Sequence, residues 1–249
     1  MKVFVINLEK DTNRRKNIQR EIEKFKLNNV EFISAVNGYT LTDNQLMDSV
    51  FNYPECQLTK GEIGCALSHL KIYKRIVDEK IPLALILEDD ALLSLKINKV
   101  ISEIKDFDNC NVPNVYLLNK AKSYIKNKKI ESNNLSFYSI YEASYAYGYV
   151  VNYQAAQNLI DNMSPIRFEA DMWGIFRILN IANIYCLLNP VIHNGDASCV
   201  TSSIEEDRQK NTSLRPKQRS KAKKTYRHYH IYKMKEFLNK KFIFDIQKA

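Results

Sequence analysis

Three carboxylates, Glu88-Asp89-Asp90, directly follow the apolar run Leu83-Ala84-Leu85-Ile86-Leu87. Five continuous apolar residues read as a central strand covered on both faces. The acids therefore fall at the carboxyl end of that strand, where ligands bind in open α/β sheets. Side-chain alternation predicts Glu88 and Asp90 on one side and Asp89 on the other. Converging carboxylates repel unless a cation separates them, and hard oxygen ligands suit Mg²⁺ or Mn²⁺ holding a diphosphate. The plain alternative is an acidic strand end facing water.

Other residues could join such a site. Arg14 and Arg15 occupy the first turn of a helix that begins near Thr12, where cations oppose the helix dipole. A nearby anionic ligand would reverse that sign, and two solvated arginines are the alternative. Neither a G-x-G-x-x-G nor a P-loop is present to hold that anion. Thr59-Lys60-Gly61-Glu62 is a capping box opening a helix that carries Gly64, Ser68 and His69. Gly64 and Ser68, four apart, form a small stripe that lets a backbone or ligand approach closely, while His69 reads as a core histidine or a ligand contact. Asp171, in Phe168-Glu169-Ala170-Asp171-Met172-Trp173, is either a helix N-cap or a general base with Trp173 as an apolar wall for a sugar ring. His193 follows Pro190-Val191-Ile192 without zinc-type histidine spacing, so it can only complete a site built elsewhere.

The elements that must position these residues alternate in type. Strands are expected over residues 3–7, 30–36, 83–87, 115–118, 135–140, 145–151 and 184–188. A helix carries Ile18, Ile22 and Phe25 on one face, another carries Ile63, Leu67 and Leu70, and Asn152 can cap a third. This pattern predicts an α/β sandwich with a mostly parallel sheet.

The 249 residues, 45% of them apolar, are enough for one α/β domain with an appendage. No run approaches the ~20 apolar residues of a membrane span, and the short run after Met1 is no signal peptide. Five scattered cysteines without a C-x-x-C pair fit buried thiols in a reducing compartment, which predicts a cytoplasmic protein. The net charge of +9 is unevenly spread: residues 208–249 hold 14 Lys/Arg against two acids (+12), which leaves 23 against 26 (−3) for residues 1–207. The chain is accordingly divided into a catalytic domain, 1–207, and a basic helical extension, 208–249. A nucleic-acid binder would carry its charge across a folded face, so nucleic acid is not expected as a partner. Within 217–241, Ile231, Met234 and Leu238 fall on one helical face among lysines and arginines, with Tyr226, Tyr229 and Tyr232 interspersed. Such a helix suits an anionic membrane surface and a peripheral location on it.

Taken together the segments resemble glycosyltransferase family 25, the lipopolysaccharide and lipooligosaccharide galactosyltransferase group. The matching pieces are Val5-Ile6-Asn7-Leu8 with Arg14-Arg15, then Ala35-Val36-Asn37-Gly38 and Gly61-Glu62-Ile63-Gly64-Cys65-Ala66-Leu67-Ser68-His69. Leu85-Ile86-Leu87-Glu88-Asp89-Asp90-Ala91 and Tyr147-Gly148-Tyr149-Val150-Val151 with Ala155-Ala156 complete them. The resemblance spans about residues 1–205, and the Gly-x-x-Gly-Cys…Ser-His block followed by Glu-Asp-Asp is its specific part. It implies a GT-A-type nucleotide-sugar fold, a UDP-sugar donor (usually UDP-galactose), a glycan or glycolipid acceptor, and Mn²⁺ or Mg²⁺ at the acidic triplet. It further implies donor binding by Asn7, Arg14, Arg15, Gly64, Ser68, His69, Glu88 and Asp89, and metal ligation by Asp90, Glu88 and His193. Asp171 becomes the expected base of an inverting, β-forming transfer, with Trp173 and Tyr147 toward the acceptor. Two departures stand out: Asn37 replaces a frequent acid, and Ala197-Ser198-Cys199-Val200-Thr201-Ser202 lacks the usual acid beside serine. Two other functions compete, a non-catalytic membrane or polyanion binder and a metal-dependent phosphoryl-transfer enzyme. The first leaves the acidic triplet without a use.

Overall fold

The structure is a computed structural model that describes residues 1–195 and 214–249. The stretch 197–202 and the division at 207/208 lie outside the described residues. Strand β1 (Lys2–Asn7) lies between β2 (Val30–Ser34) and β3 (Leu83–Glu88), parallel to both. Beyond β3 the sheet continues through β8 (Gly148–Asn152), β5 (Asn114–Leu117), β9 (Asn183–Cys186), β7 (Ser136–Glu142) and β6 (Ser123–Glu131). The ninth strand, β11 (Ile246–Lys248), pairs antiparallel with β6 at the edge. Six of the nine strands run one way, and β8, β7 and β11 run against them. The expected mostly parallel sheet is therefore present, with antiparallel insertions.

Both sheet faces are covered, which explains why β1 and β3 are almost uniformly apolar. Phe4, Ile6, Ala84 and Ile86 enter one core, with the helices α3 (Lys60–Asp78) and α5 (Tyr153–Met163). Val3, Val5, Leu83, Leu85 and Leu87 enter the other, with α1 (Thr12–Lys24) and α4 (Ile97–Phe107). The alternation is the period-2 geometry of the strand. Helix α3 begins at the expected capping box, with Thr59 and Glu62 bonding each other's backbone N–H. Asn152 caps α5 as its sequence predicts, accepting from the Ala155 N–H at 2.9 Å. The short helices α2 (Asp43–Ser49) and α6 (Trp173–Ile178) flank this body, and β4 (Ala91–Leu93) pairs antiparallel with β10 (Ile192–Asn194).

The basic segment forms two helices, α7 (Arg215–Lys224) and α8 (Tyr229–Phe242), not the single one expected over 217–241. Nor does its described part stand apart from the body. Arg215 is buried between Glu62 and Glu169, and Tyr226 stacks on Phe168 with ring centroids 6.2 Å apart. Arg177 pairs with Glu236 at 2.7 Å, and β11 completes the sheet. The composition changes near Arg208, and the described residues from 214 on pack against the body.

Candidate donor and acceptor site

Asn7 ends β1 and Glu88 ends β3, so the two central strands deliver polar side chains to the same sheet edge. The N-terminus of α1, the 35–39 loop and the α3 face around Cys65 and His69 close a pocket of about 160 Å³ there. Asn7, Arg14, Ser68, His69, Glu88 and Asp89 all line it. This edge is where the strand argument places a ligand.

The strand ends at Glu88, so alternation does not extend through the acidic triplet, and the expected pairing of Glu88 with Asp90 is replaced by another. Glu88 Oε1 lies 3.2 Å from His69 Nε2. Asp89 and Asp90 share Arg14, whose Nε is 2.9 Å from Asp89 and whose Nη2 is 2.9 Å from Asp90. Asn7 Nδ2 also donates to Asp89 at 2.7 Å. Burial raises the Asp89 carboxyl above its ordinary range, while the Arg14 charge and the Asn7 hydrogen bond pull it back down. The anion that compensates Arg14 at the start of α1 is thus the chain's own carboxylate pair.

His69 is fully buried and held on both nitrogens. Its Nδ1 lies 2.7 Å from the Tyr149 hydroxyl, which lies 2.6 Å from that of Tyr73. Burial holds both phenols well above their usual pKa, so they remain neutral hydrogen-bonding groups. Ser68 accepts from the Val36 N–H at 2.8 Å and donates to the Gly64 carbonyl at 2.7 Å, tying the 35–39 loop to α3.

Several expected site residues do other work. A Cβ on Gly64 would sit 2.4 Å from the Val36 carbonyl, so the approach it permits is that of the loop backbone and not of a donor. The Arg15 guanidinium lies 4.0 Å from the centre of the Phe32 ring, outside the pocket walls. Trp173 is fully buried against Tyr149 and Phe176 and cannot form a wall for a sugar. Its indole N–H instead donates to the Tyr145 carbonyl at 2.9 Å. Asp171 does not cap α6, whose N-cap is Met172; its carboxylate accepts the Tyr145 N–H at 2.9 Å. Asp171 lines a separate groove of about 740 Å³ with Tyr141, Ser144, Tyr145 and Lys240.

Tyr147 links the two regions. It is buried, its ring lies tilted at 37° to that of Tyr145 with centroids 5.8 Å apart, and burial followed by the Asp90 charge raises its phenol pKa. Tyr145 is exposed and has φ of 69°, a left-handed conformation that is costly for a bulky residue. Asp171 and Trp173 secure both sides of its peptide, so the strain is held in place. His193 is exposed on β10, facing Leu92 of β4, and the next strand positions run beside Asp90, whose carbonyl accepts the Gly195 N–H at 2.7 Å. Tyr145, Cys65 and Arg215 were not singled out by sequence reasoning. Of these only Cys65 had a readable signal, its i, i+4 spacing from His69.

Residues 1–173 match the family described as glycosyltransferase family 25 (LPS biosynthesis protein). The chain belongs to glycosyltransferase family 25. Among its relatives, human procollagen galactosyltransferase 2 is 27% identical over 171 residues, covering 64% of this chain and 27% of that protein. The chain thus spans about a quarter of the length of that relative. The lipooligosaccharide biosynthesis protein lex-1 of Haemophilus influenzae is 26% identical, with 89% of this chain and 87% of that protein covered. A solved glycosyltransferase involved in glycosylation of the major capsid of PBCV-1 superposes with a TM-score of 0.39 at 10% identity, covering 84% of this chain and 97% of that one. LPS biosynthesis is the setting that the family description gives.

Proposed function

We propose that this glycosyltransferase moves a hexose, galactose by preference, from a UDP-sugar to a lipooligosaccharide or related glycan with inversion to a β-linkage. The observation that carries the reading is the pocket at the ends of β1 and β3, where Arg14 bridges Asp89 and Asp90 beside Asn7 and His69. A cation, Mn²⁺ or Mg²⁺, fits the chemistry of this edge, since Asp89 and Asp90 supply hard oxygens and the His193 strand runs alongside. Bound there, the ion would compensate charge on the departing diphosphate. Arg14 supplies a fixed positive charge on the same side and orients the phosphates. Galactose is the sugar named for the procollagen relatives, and the lipooligosaccharide acceptor follows lex-1.

For the acceptor, the exposed Tyr145 ring takes over the platform role expected of Trp173, and Asp171 takes the proton from the attacking hydroxyl. Tyr147, between Asp90 and Tyr145, aligns the two halves of the reaction. The acceptor side also faces a membrane in this reading. No described helix is long and apolar enough to cross one, but α8 turns Ile231, Met234, Phe237 and Phe242 outward. Lys235 and Lys241 flank that face, a pattern that rests on anionic headgroups at a cytoplasmic surface.

The test is a donor screen with the full chain: UDP-galactose, UDP-glucose, UDP-GlcNAc and UDP-GalNAc, with Mn²⁺, scored for release of UDP and for transfer to glycolipid. Turnover of one UDP-sugar is expected. Release of inorganic phosphate from nucleotides without sugar transfer would replace this reading with phosphoryl transfer.

A further inference from the structure

Glu88 faces away from the Arg14 cluster, toward a different pair of side chains. Cys65 and His69 stand four residues apart on α3, on the face turned toward the end of β3. One ligand atom from each of Cys65, His69 and Glu88 lies within 4.8 Å of the other two. We propose that these three residues form a binding site for a borderline transition-metal ion, Zn²⁺, opening onto the donor pocket.

Four features support the assignment. Zn–N distances of about 2.0–2.1 Å and a Zn–S distance of about 2.3 Å set tetrahedral edges of roughly 3.3–3.8 Å. The His69–Glu88 edge, at 3.2 Å, already falls close to that range, and the Cys65 edges, each within 4.8 Å, need only side-chain rotation to approach it. The donor set is thiolate, imidazole and carboxylate, which favours Zn²⁺ or Co²⁺ over Mg²⁺. The buried imidazole carries the outer partner that metal-bound histidines use. With the ion on Nε2, Nδ1–H donates to the Tyr149 hydroxyl, which passes its own proton toward Tyr73. Finally, Cys65, His69 and Glu88 all line the pocket, so a fourth position is open to solvent or to a donor oxygen.

Binding is balanced in charge. The Cys65 thiol gives its proton to solvent, His69 stays neutral, and one thiolate with one carboxylate neutralises the dication. The site deepens the donor-pocket reading, on which its effect on the enzyme rests. A Zn²⁺ ion there would place a second Lewis-acidic position beside the Asp89–Asp90 edge.

The experiment uses the full chain, stripped with chelator and titrated with Co²⁺. The expected result is a thiolate-to-cobalt charge-transfer band in the near ultraviolet, with the intense visible bands of a four-coordinate ion. One equivalent of Zn²⁺ should abolish the spectrum, and excess Mg²⁺ should leave it in place. Cys65→Ser should lose the charge-transfer band, and Glu88→Gln, which retains the thiol, should weaken Co²⁺ binding at least tenfold. Circular dichroism checks that each variant is folded; should Cys65→Ser not fold, Glu88→Gln decides. A wild-type spectrum without the charge-transfer band, a band that persists in Cys65→Ser, or unchanged affinity in Glu88→Gln overturns the site. Sugar transfer is measured in parallel. Transfer without the band removes only the metal site, and the band without transfer removes only the functional reading.

Discussion

Arg215 and Glu62 meet across 153 positions of sequence, with Arg215 Nη1 2.8 Å from Glu62 Oε1 and both side chains buried. Glu62 also closes the capping box of α3, the helix that carries Cys65, Ser68 and His69. Glu169 joins the same cluster, pairing with Arg215 at 3.4 Å and with Arg219. One arginine from the basic segment thereby anchors the start of the helix that lines the pocket at the ends of β1 and β3.

Breaking a buried pair from one side leaves an uncompensated charge, at a cost of about 3–5 kcal/mol. Arg215→Ala should therefore lower stability by that order and reduce activity with it. Glu62→Gln keeps the capping geometry, because glutamine also serves in a capping box. The double variant should recover part of the loss, and urea unfolding of the three proteins measures the coupling. Additive losses would show that the pair is not coupled. Removal of residues 208–249 should be as damaging as Arg215→Ala or more, since it also takes away β11.

The acidic triplet gives a second prediction. Asp89→Asn removes the ion pair to Arg14 but also the desolvation cost that raises the carboxyl's pKa. These terms offset, so stability should change by only about 1 kcal/mol. Activity should fall at least tenfold in both Asp89→Asn and Asp90→Asn, because each loosens Arg14. Release of UDP from UDP-galactose, with the melting temperature as control, checks both. Wild-type turnover in Asp89→Asn alongside loss in Asp90→Asn would restore the simple alternation of side chains.

That alternation shows where the sequence was legible and where it was not. The apolar run of β3, its position in the sheet and the acids at its end could all be read from local pattern. The direction of each acid could not, because it depends on where the strand stops and on Arg14, which comes from α1. Trp173 failed for a similar reason. An indole reads equally well as a sugar platform or as core, and only packing against Tyr149 and Phe176 decides. The capping role of Glu62 is local and was readable, whereas its partner Arg215 is supplied by tertiary structure. Charge counting carried no information on how Arg215, Tyr226 and β11 tie the basic segment to the body.

Asp171 is proposed as the base, and its hydrogen bond from the Tyr145 N–H gives the test a control. An asparagine can still accept the Tyr145 N–H through its side-chain oxygen, so Asp171→Asn should fold normally. Transfer should fall roughly 10²–10⁴-fold while UDP binding is retained. Tyr145→Ala should raise the acceptor KM more than it lowers UDP release in the absence of acceptor. Full transfer by Asp171→Asn would take the residue out of the chemistry and leave it the role of holding Tyr145.

The last prediction concerns the outward face of α8. Its inner side is engaged with the body: Glu236 bonds Arg177, and Tyr232 packs against the core. Its outer side carries Ile231, Met234, Phe237 and Phe242, all more than half exposed. An ordinary surface helix reverses this arrangement and turns its apolar residues inward. Lys233, Lys235, Lys240 and Lys241 lie on the same helix, and each basic side chain near an anionic surface contributes about 1 kcal/mol. Full-length protein should therefore co-sediment with vesicles containing phosphatidylglycerol and remain in solution with phosphatidylcholine alone. Met234→Ser with Phe237→Ser should cut sedimentation several-fold without lowering the melting temperature, because neither side chain is buried. Raising the salt concentration should weaken what binding remains by screening the lysines. Equal sedimentation of wild type and the double variant would show that the apolar face is not what meets the membrane. UDP release without acceptor should be the same in both proteins, since α8 contributes nothing to the donor pocket.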